Sequence, residues 1–345
     1  MTILAIDLGK YNSVACYYDS ANQSSRFRTL RTTPAEVRQL LLREPVTLVV
    51  LEAGSSSGWI ADLCESLNIT VAVANTSGEA WKWKNVKRKT DRDDALKLAR
   101  LAALGHLVPV HIPTQPTREH RWLVKYRKTL VGRITRIQNN LRALFVQHGV
   151  KLPVGARAWT AAGLEQIAEE RCPLDDCSND QLWRGQLDME LTELARQREA
   201  LRAVDRKLDV LATQDERIGL LTSVPGVGRK TAEVIATHLD RPERFANARH
   251  VSSYAGLVPR RWQSGQTDHS GRVTKRGSRL LRSALVECAW VMLRYNEWAR
   301  TLFVRICQGQ KNRRKKAIVA IARKLLVRCW AMLRDNRRWQ PAAAG

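Results

Sequence analysis

The stretch MTILAIDLGK, residues 1–10, sets the fold of the N-terminal part. Ile3 to Ile6 is a short apolar run of the kind that becomes a buried strand, and it ends on Asp7 with Gly9 in the turn beyond. Val46 to Leu51 repeats the pattern and ends on Glu52. Val71 to Ala74 offers a third strand before the loop Asn75-Thr76-Ser77-Gly78. Helical stretches at 34–43 and 58–67 alternate with these runs, which is an α/β arrangement.

The chain has 345 residues, a length that suggests two or three units. Its 58 Lys and Arg against 33 Asp and Glu leave a net charge of +25, which predicts a polyanionic partner, nucleic acid before any other. The charge is uneven. Residues 1–80 carry 6 basic and 8 acidic side chains, whereas residues 216–345 carry 27 basic and 8 acidic ones. The first segment reads as a catalytic fold and the last as a DNA grip. No apolar run approaches the roughly 20 residues that span a bilayer, so a membrane partner is excluded and a cytoplasmic protein is expected. Seven scattered cysteines form no disulfide framework, and Cys172 and Cys177 lack the further ligands of a zinc site.

A third acidic element, Lys89-Thr90-Asp91-Arg92-Asp93-Asp94-Ala95, opens a helix in which Asp91 and Asp94 share a face and Asp93 points elsewhere. Carboxylates gathered from Asp7, Glu52, Asp91 and Asp94 repel one another unless a cation neutralises them, the logic of a metal-assisted phosphoryl-transfer site. Oxygen ligands of this kind favour magnesium or manganese. Each acid taken alone fits a turn cap or a helix N-terminus.

Two long polar helical stretches, Thr117 to His148 and Asp180 to Thr213, carry apolar residues at three and four spacing and can pair as an antiparallel coiled coil. Beyond them Val224-Pro225-Gly226-Val227-Gly228-Arg229-Lys230-Thr231 forms a glycine-rich turn into a helix. Gly226 and Gly228 would let backbone N–H groups approach a phosphate, with Arg229 and Lys230 beside them, as in helix-hairpin-helix DNA binders. The spacing is not that of a nucleotide-binding P-loop, so ATP is not implied. Downstream, Arg260, Arg261, Arg272, Lys275, Arg276, Arg279 and Arg282 surround Ser264 in a glycine-flexed loop, in a segment read as helical to the end with a frayed tail from Arg337. A serine among arginines suits attack on a phosphodiester, because guanidinium groups hold the phosphate as charge builds. The residues alone leave Ser264, Ser270 and Ser278 as candidates.

The blocks around Asp7, Glu52 and Asp91 to Asp94 resemble the RuvC-like DEDD domain of a bacterial insertion-sequence family, the RNA-guided bridge recombinases of the IS110 family. The blocks around Pro225 and from Gly256 to Arg282 resemble that family's transposase domain. The resemblance implies an α/β plus all-α architecture with a RuvC/RNase H-like domain at 1–112, a helical coiled-coil region at 113–215 and a helical transposase domain with a helix-hairpin-helix-like motif at 216–345. It implies metal held by Asp7, Glu52, Asp91 and Asp94, and Ser264 as the nucleophile. It also implies donor and target DNA, a structured guide RNA, and a homo-oligomer with an active site shared between subunits, in the bacterial cytoplasm near the nucleoid. Two other readings stand beside it. One is a metal-dependent junction nuclease in which Ser264 only binds phosphate. The other is a non-catalytic nucleic-acid-binding architectural protein, with Trp81 and Trp83 stacking bases among Lys82, Lys84, Lys87, Arg88 and Lys89.

Overall fold

Ile3 to Ile6 lie wholly buried in strand β1 (Thr2–Asp7) of the computed structural model, which describes residues 1–75, 90–265 and 267–341. Strands β2 (Asn12–Asp19) and β3 (Ser25–Arg31) follow as antiparallel neighbours. After α1 (Pro34–Leu42), strand β4 (Leu48–Glu52) joins the other side of β1 in parallel, and after α2 (Ser57–Ser66), β5 (Val71–Ala74) joins β4 in the same sense. The sheet order is β3-β2-β1-β4-β5. Strands β2 and β3 were not among the sequence-based expectations. The loop at Thr76, Ser77 and Gly78 and the cluster from Trp81 to Lys89 lie outside the described residues.

Both faces of the central strands β1 and β4 are covered, so these two are apolar throughout rather than alternating. Leu4, Ile6, Ala15, Tyr17, Val49 and Leu51 face α1 and α2, whereas Ile3, Ala5, Val14, Cys16 and Val50 face α3 (Asp91–Ala103) through its Ala95, Leu98 and Ala99. The turn after β1 needs its glycine, since a Cβ at Gly9 would collide with the Asn12 carbonyl.

The chain divides into two compact units, Met1–Arg118 and Glu119–Gly345. In the second, the long helices α4 (Gln115–Gln147) and α6 (Leu182–Gln214) run antiparallel, with Arg127 on Asp205 at 2.6 Å and Asn140 on Glu190 at 3.2 Å. Ile137, Leu141, Leu144 and Phe145 meet Leu187 and Leu194 between them, and Ile167 of α5 (Ala161–Ala168) joins the cluster. Val124, Leu208 and Ala212, toward the other end of the pair, share one core with the C-terminal helices. The helical middle and the C-terminal segment share this one compact unit.

That C-terminal segment contains α7 (Glu216–Thr222), α8 (Arg229–Leu239) and α9 (Ala248–Tyr254), then α10 (Arg279–Tyr295), α11 (Glu297–Cys307) and α12 (Arg314–Asp335). It is not helical throughout. Between α9 and α10, strands β6 (Pro259–Ser264) and β7 (Thr267–Val273) form an antiparallel hairpin in place of the expected loop. Gly265 at φ 55° permits the short connection, and Arg261 bridges across to Asp268 with bonds of 2.8 and 2.5 Å. Nor does the tail fray from Arg337. Arg337 donates its N–H to Met332 O at 3.0 Å, and Trp339 donates to Ser223 Oγ at 3.0 Å. The Trp339 indole meets Trp298 edge-on, and the Arg328 guanidinium lies 4.7 Å and 4.3 Å from the two ring centres. Among the described residues, no helix is long and apolar enough to cross a membrane.

Candidate active site

Strand parity decides where the two strand-end acids stand. Asp7 follows Ile3 and Ala5, and Glu52 follows Leu48 and Val50, all four packed in the layer of α3. Because side chains alternate along a strand, both acids belong to that same face. The parallel register pairs Ile6 with Leu51, so Asp7 and Glu52 are neighbours at the C-terminal ends of adjacent strands. On α3, Asp94 is 8 % exposed while Asp91 is open to solvent.

Asp93 has a different task. Its Oδ2 accepts from the Thr90 N–H at 3.0 Å and from the Thr90 hydroxyl at 2.6 Å, and its own N–H donates to Thr90 Oγ1 at 3.3 Å. This capping box fixes the start of α3. Among the described residues no group of three or more His, Cys, Asp and Glu side chains is drawn together as a metal-holding cluster. The donors nevertheless fit a hard divalent cation in kind, being carboxylates with two on adjacent strand ends of the α3 face.

Helices α7 and α8 are joined by the turn 223–228. Gly226 takes φ 94°, and a Cβ there would come within 3.0 Å of the Met292 backbone, so the turn lies directly on α10. Asn296 Nδ2 donates to Pro225 O at 3.2 Å and the Cys288 thiol donates to Gly226 O at 3.3 Å. Gly228, the N-cap of α8, has open space where a Cβ would stand. The two basic residues at this helix start are engaged elsewhere: Arg229 pairs with Asp209, and Lys230 Nζ is 3.8 Å from Asp205, both on α6. One turn on, Glu233 is only 1 % exposed and its Oε1 has no hydrogen-bond partner. Burial pushes its carboxyl up to about 7, with Arg229 pulling the other way.

Ser264 closes the hairpin, paired in register with Thr267, and every residue of β6 is exposed. Ser278 is engaged, since its Oγ caps α10 by accepting from the Leu281 N–H at 3.2 Å and meets His238 Nε2 at 2.8 Å. Ser270 stands in β7 opposite Arg261.

The arginines surrounding these serines fall into two groups. Arg261 is paired with Asp268, and Arg282 donates to the carbonyls of Ala255 at 3.2 Å, Arg276 at 2.7 Å and Gly277 at 3.0 Å. Arg282 thus ties the segment before α10 to the end of α9. Close approaches reinforce the tie, because a Cβ at Gly256 or Gly277 would collide with backbone of Arg276 or Tyr254. By contrast Arg260, Arg272, Lys275, Arg276 and Arg279 make no ion pair among the described residues.

Residues 4–149 match a DEDD transposase family model of the IS110 group, and residues 219–304 match the model described as transposase IS116/IS110/IS902 family. The chain is 28 % identical to a putative transposase of Sinorhizobium fredii over 82 % of its own length and 76 % of that protein. It is 26 % identical to the transposase for insertion sequence element IS1111A of Coxiella burnetii, over 99 % of this chain and 92 % of that one. A pilin gene-inverting protein of Moraxella bovis is 36 % identical across 36 % of this chain and 38 % of its own.

Proposed function

This chain belongs to the IS116/IS110/IS902 family of transposases, and from that premise we propose that it cuts and rejoins DNA strands through Ser264, with Asp7, Glu52, Asp91 and Asp94 as the metal-holding acids. The observation that carries the reading is the hairpin, where Ser264 stands exposed at the end of β6 and the hairpin's Arg260 and Arg272 make no ion pair among the described residues. The sheet order, with β1 flanked by an antiparallel and a parallel neighbour, supports assigning the first unit to the RuvC/RNase H-like type.

The chemistry balances without ATP. The Ser264 Oγ bonds to phosphorus while the bond from phosphorus to the 3′ oxygen breaks, and the hydroxyl proton ends on that departing oxygen. The product is a 5′-phosphoserine and a free 3′-hydroxyl. Attack by a 3′-hydroxyl on the phosphoserine reverses the step and joins the strand. The unpaired arginines hold the non-bridging oxygens as charge grows on them. The DEDD match implies dependence on a divalent metal, and magnesium or manganese, when bound, would supply Lewis-acid neutralisation of phosphate charge. A structured guide RNA, and a homo-oligomer whose subunits share the active site, belong to the same reading. The net charge of +25 supports a second polyanion beside DNA.

The metal side of the proposal is tested by Asp7→Asn, Glu52→Gln and Asp91→Asn. Each is expected to abolish strand cleavage in magnesium while nucleic-acid binding in EDTA stays within about twofold of wild type. Full cleavage by the triple variant would remove the acids from the mechanism.

A further inference from the structure

Strand parity in the β6–β7 hairpin sorts its side chains onto two faces. Arg261 and Asp268 are ion-paired on one. Trp262 and Ser264 fall on the other, with their cross-strand partners His269 and Thr267. Trp262 is 56 % exposed, a large apolar area to leave in water. One side of its ring is held: a Cβ on Gly271 would come within 2.5 Å of the indole Cζ3 and 3.1 Å of Cη2, so the ring rests on the β7 backbone where glycine leaves room. An extra residue in β7 at this level, seen as the register shift between Pro259 and Arg261, accompanies that seat.

We propose that Trp262 is the platform on which a nucleobase of the DNA strand stacks beside the phosphate that Ser264 attacks. The inference rests on the reading of Ser264 as the nucleophile. The ring is anchored on one side and open on the other, and it stands two residues along the same strand face from Ser264. Arg260 and Arg272, on the same hairpin, supply positive charge of the kind that a strand's phosphates require. Stacking on an aromatic ring tolerates any base, because every base presents a π-face. Trp262 is thus a positioning residue that sets the register of the strand against the serine.

The test uses the full chain carrying Ser264→Ala, so that DNA is bound without turnover, and an oligodeoxynucleotide bearing 2-aminopurine, whose fluorescence is quenched on stacking. Quenching is expected in the Ser264→Ala background and lost when Trp262→Ala is added, with affinity falling about tenfold. Trp262→Phe should restore most of the quenching. Gly271→Ala, which fills the seat of the ring, should reproduce the loss while Trp262 remains. Salt dependence of binding should be unchanged in these variants, because the arginine contacts persist. Quenching that survives Trp262→Ala, or that occurs with a 2-aminopurine oligoribonucleotide and not with DNA, would overturn the proposal. Cleavage by the Ser264→Ala chain, scored separately on a denaturing gel, would remove the serine mechanism and leave the stacking result standing.

Discussion

Ser278 Oγ lies 2.8 Å from Nε2 of the buried His238. The imidazole Nδ1 is 2.8 Å from Val234 O, so it carries the proton and donates it there, and Nε2 accepts from the Ser278 hydroxyl. A serine that caps a helix and donates to a buried imidazole is a structural element. Ser264 is left exposed, and this contrast is the physical reason for preferring it. Ser278→Ala is expected to lower stability by about 1 kcal/mol through loss of the cap, and to leave cleavage per folded molecule intact. Loss of cleavage at full stability would return Ser278 to the list of nucleophiles.

The same imidazole makes the second unit sensitive to acid. Burial first, then Arg121 and Arg244, hold His238 down to about 4 from the ordinary 6.5. A base whose folded pKa is depressed contributes stability that is present above the unfolded value and is lost as pH falls through the folded one. The stability advantage of wild type over His238→Gln should therefore shrink by up to about 3 kcal/mol between pH 6.5 and 4. Urea midpoints across that range measure it, and a constant difference would show that His238 does not titrate there.

Glu233 runs the other way. Its carboxyl is raised from 4.5 to about 7, so its contribution is fully present below 4.5 and is lost as pH rises through 7. Glu233→Gln is expected to be more stable than wild type at about pH 8, by about 1 to 3 kcal/mol, with the difference vanishing in acid. Thermal unfolding at the two ends of the range checks this. A variant less stable than wild type at the alkaline end would mean that the ionised carboxylate holds α8 through its charged neighbours.

Helix α12 begins against the usual electrostatics, with Arg314, Lys315 and Lys316 exposed in its first turn and no acid among them. Cations at a helix N-terminus oppose the dipole, and on the proposed reading DNA phosphates would offset them. Replacing Lys315 and Lys316 by Gln should leave the melting temperature unchanged or slightly raised, while weakening DNA binding and making its salt dependence shallower by about one per phosphate contact removed. A fall in melting temperature with unchanged affinity would make the cluster a structural one.

What the sequence disclosed follows from the range of the interactions involved. Strands β1, β4 and β5 are visible because each is an unbroken apolar run, and Asp7 and Glu52 are visible because they end two of them. The hairpin is hidden, since PRRWQS has no apolar run and is held by a cross-strand ion pair and a glycine turn. Arg229, Lys230 and Arg282 look like free cations in the sequence because their partners are set by tertiary packing, on α6 for the first two and on turn carbonyls for the third. The seat of Trp262 on Gly271 depends on strand register, which no local pattern encodes.

The most direct measurement is trapping of a covalent complex on a nicked suicide DNA substrate in magnesium, resolved on a denaturing gel with and without protease. Wild type should give a shifted, protease-sensitive band that is absent with Ser264→Ala and retained with Ser278→Ala. Free 5′-phosphate ends from the outset, with normal cleavage by Ser264→Ala, would contradict the serine mechanism and make the chain a hydrolytic nuclease with Ser264 as a phosphate ligand.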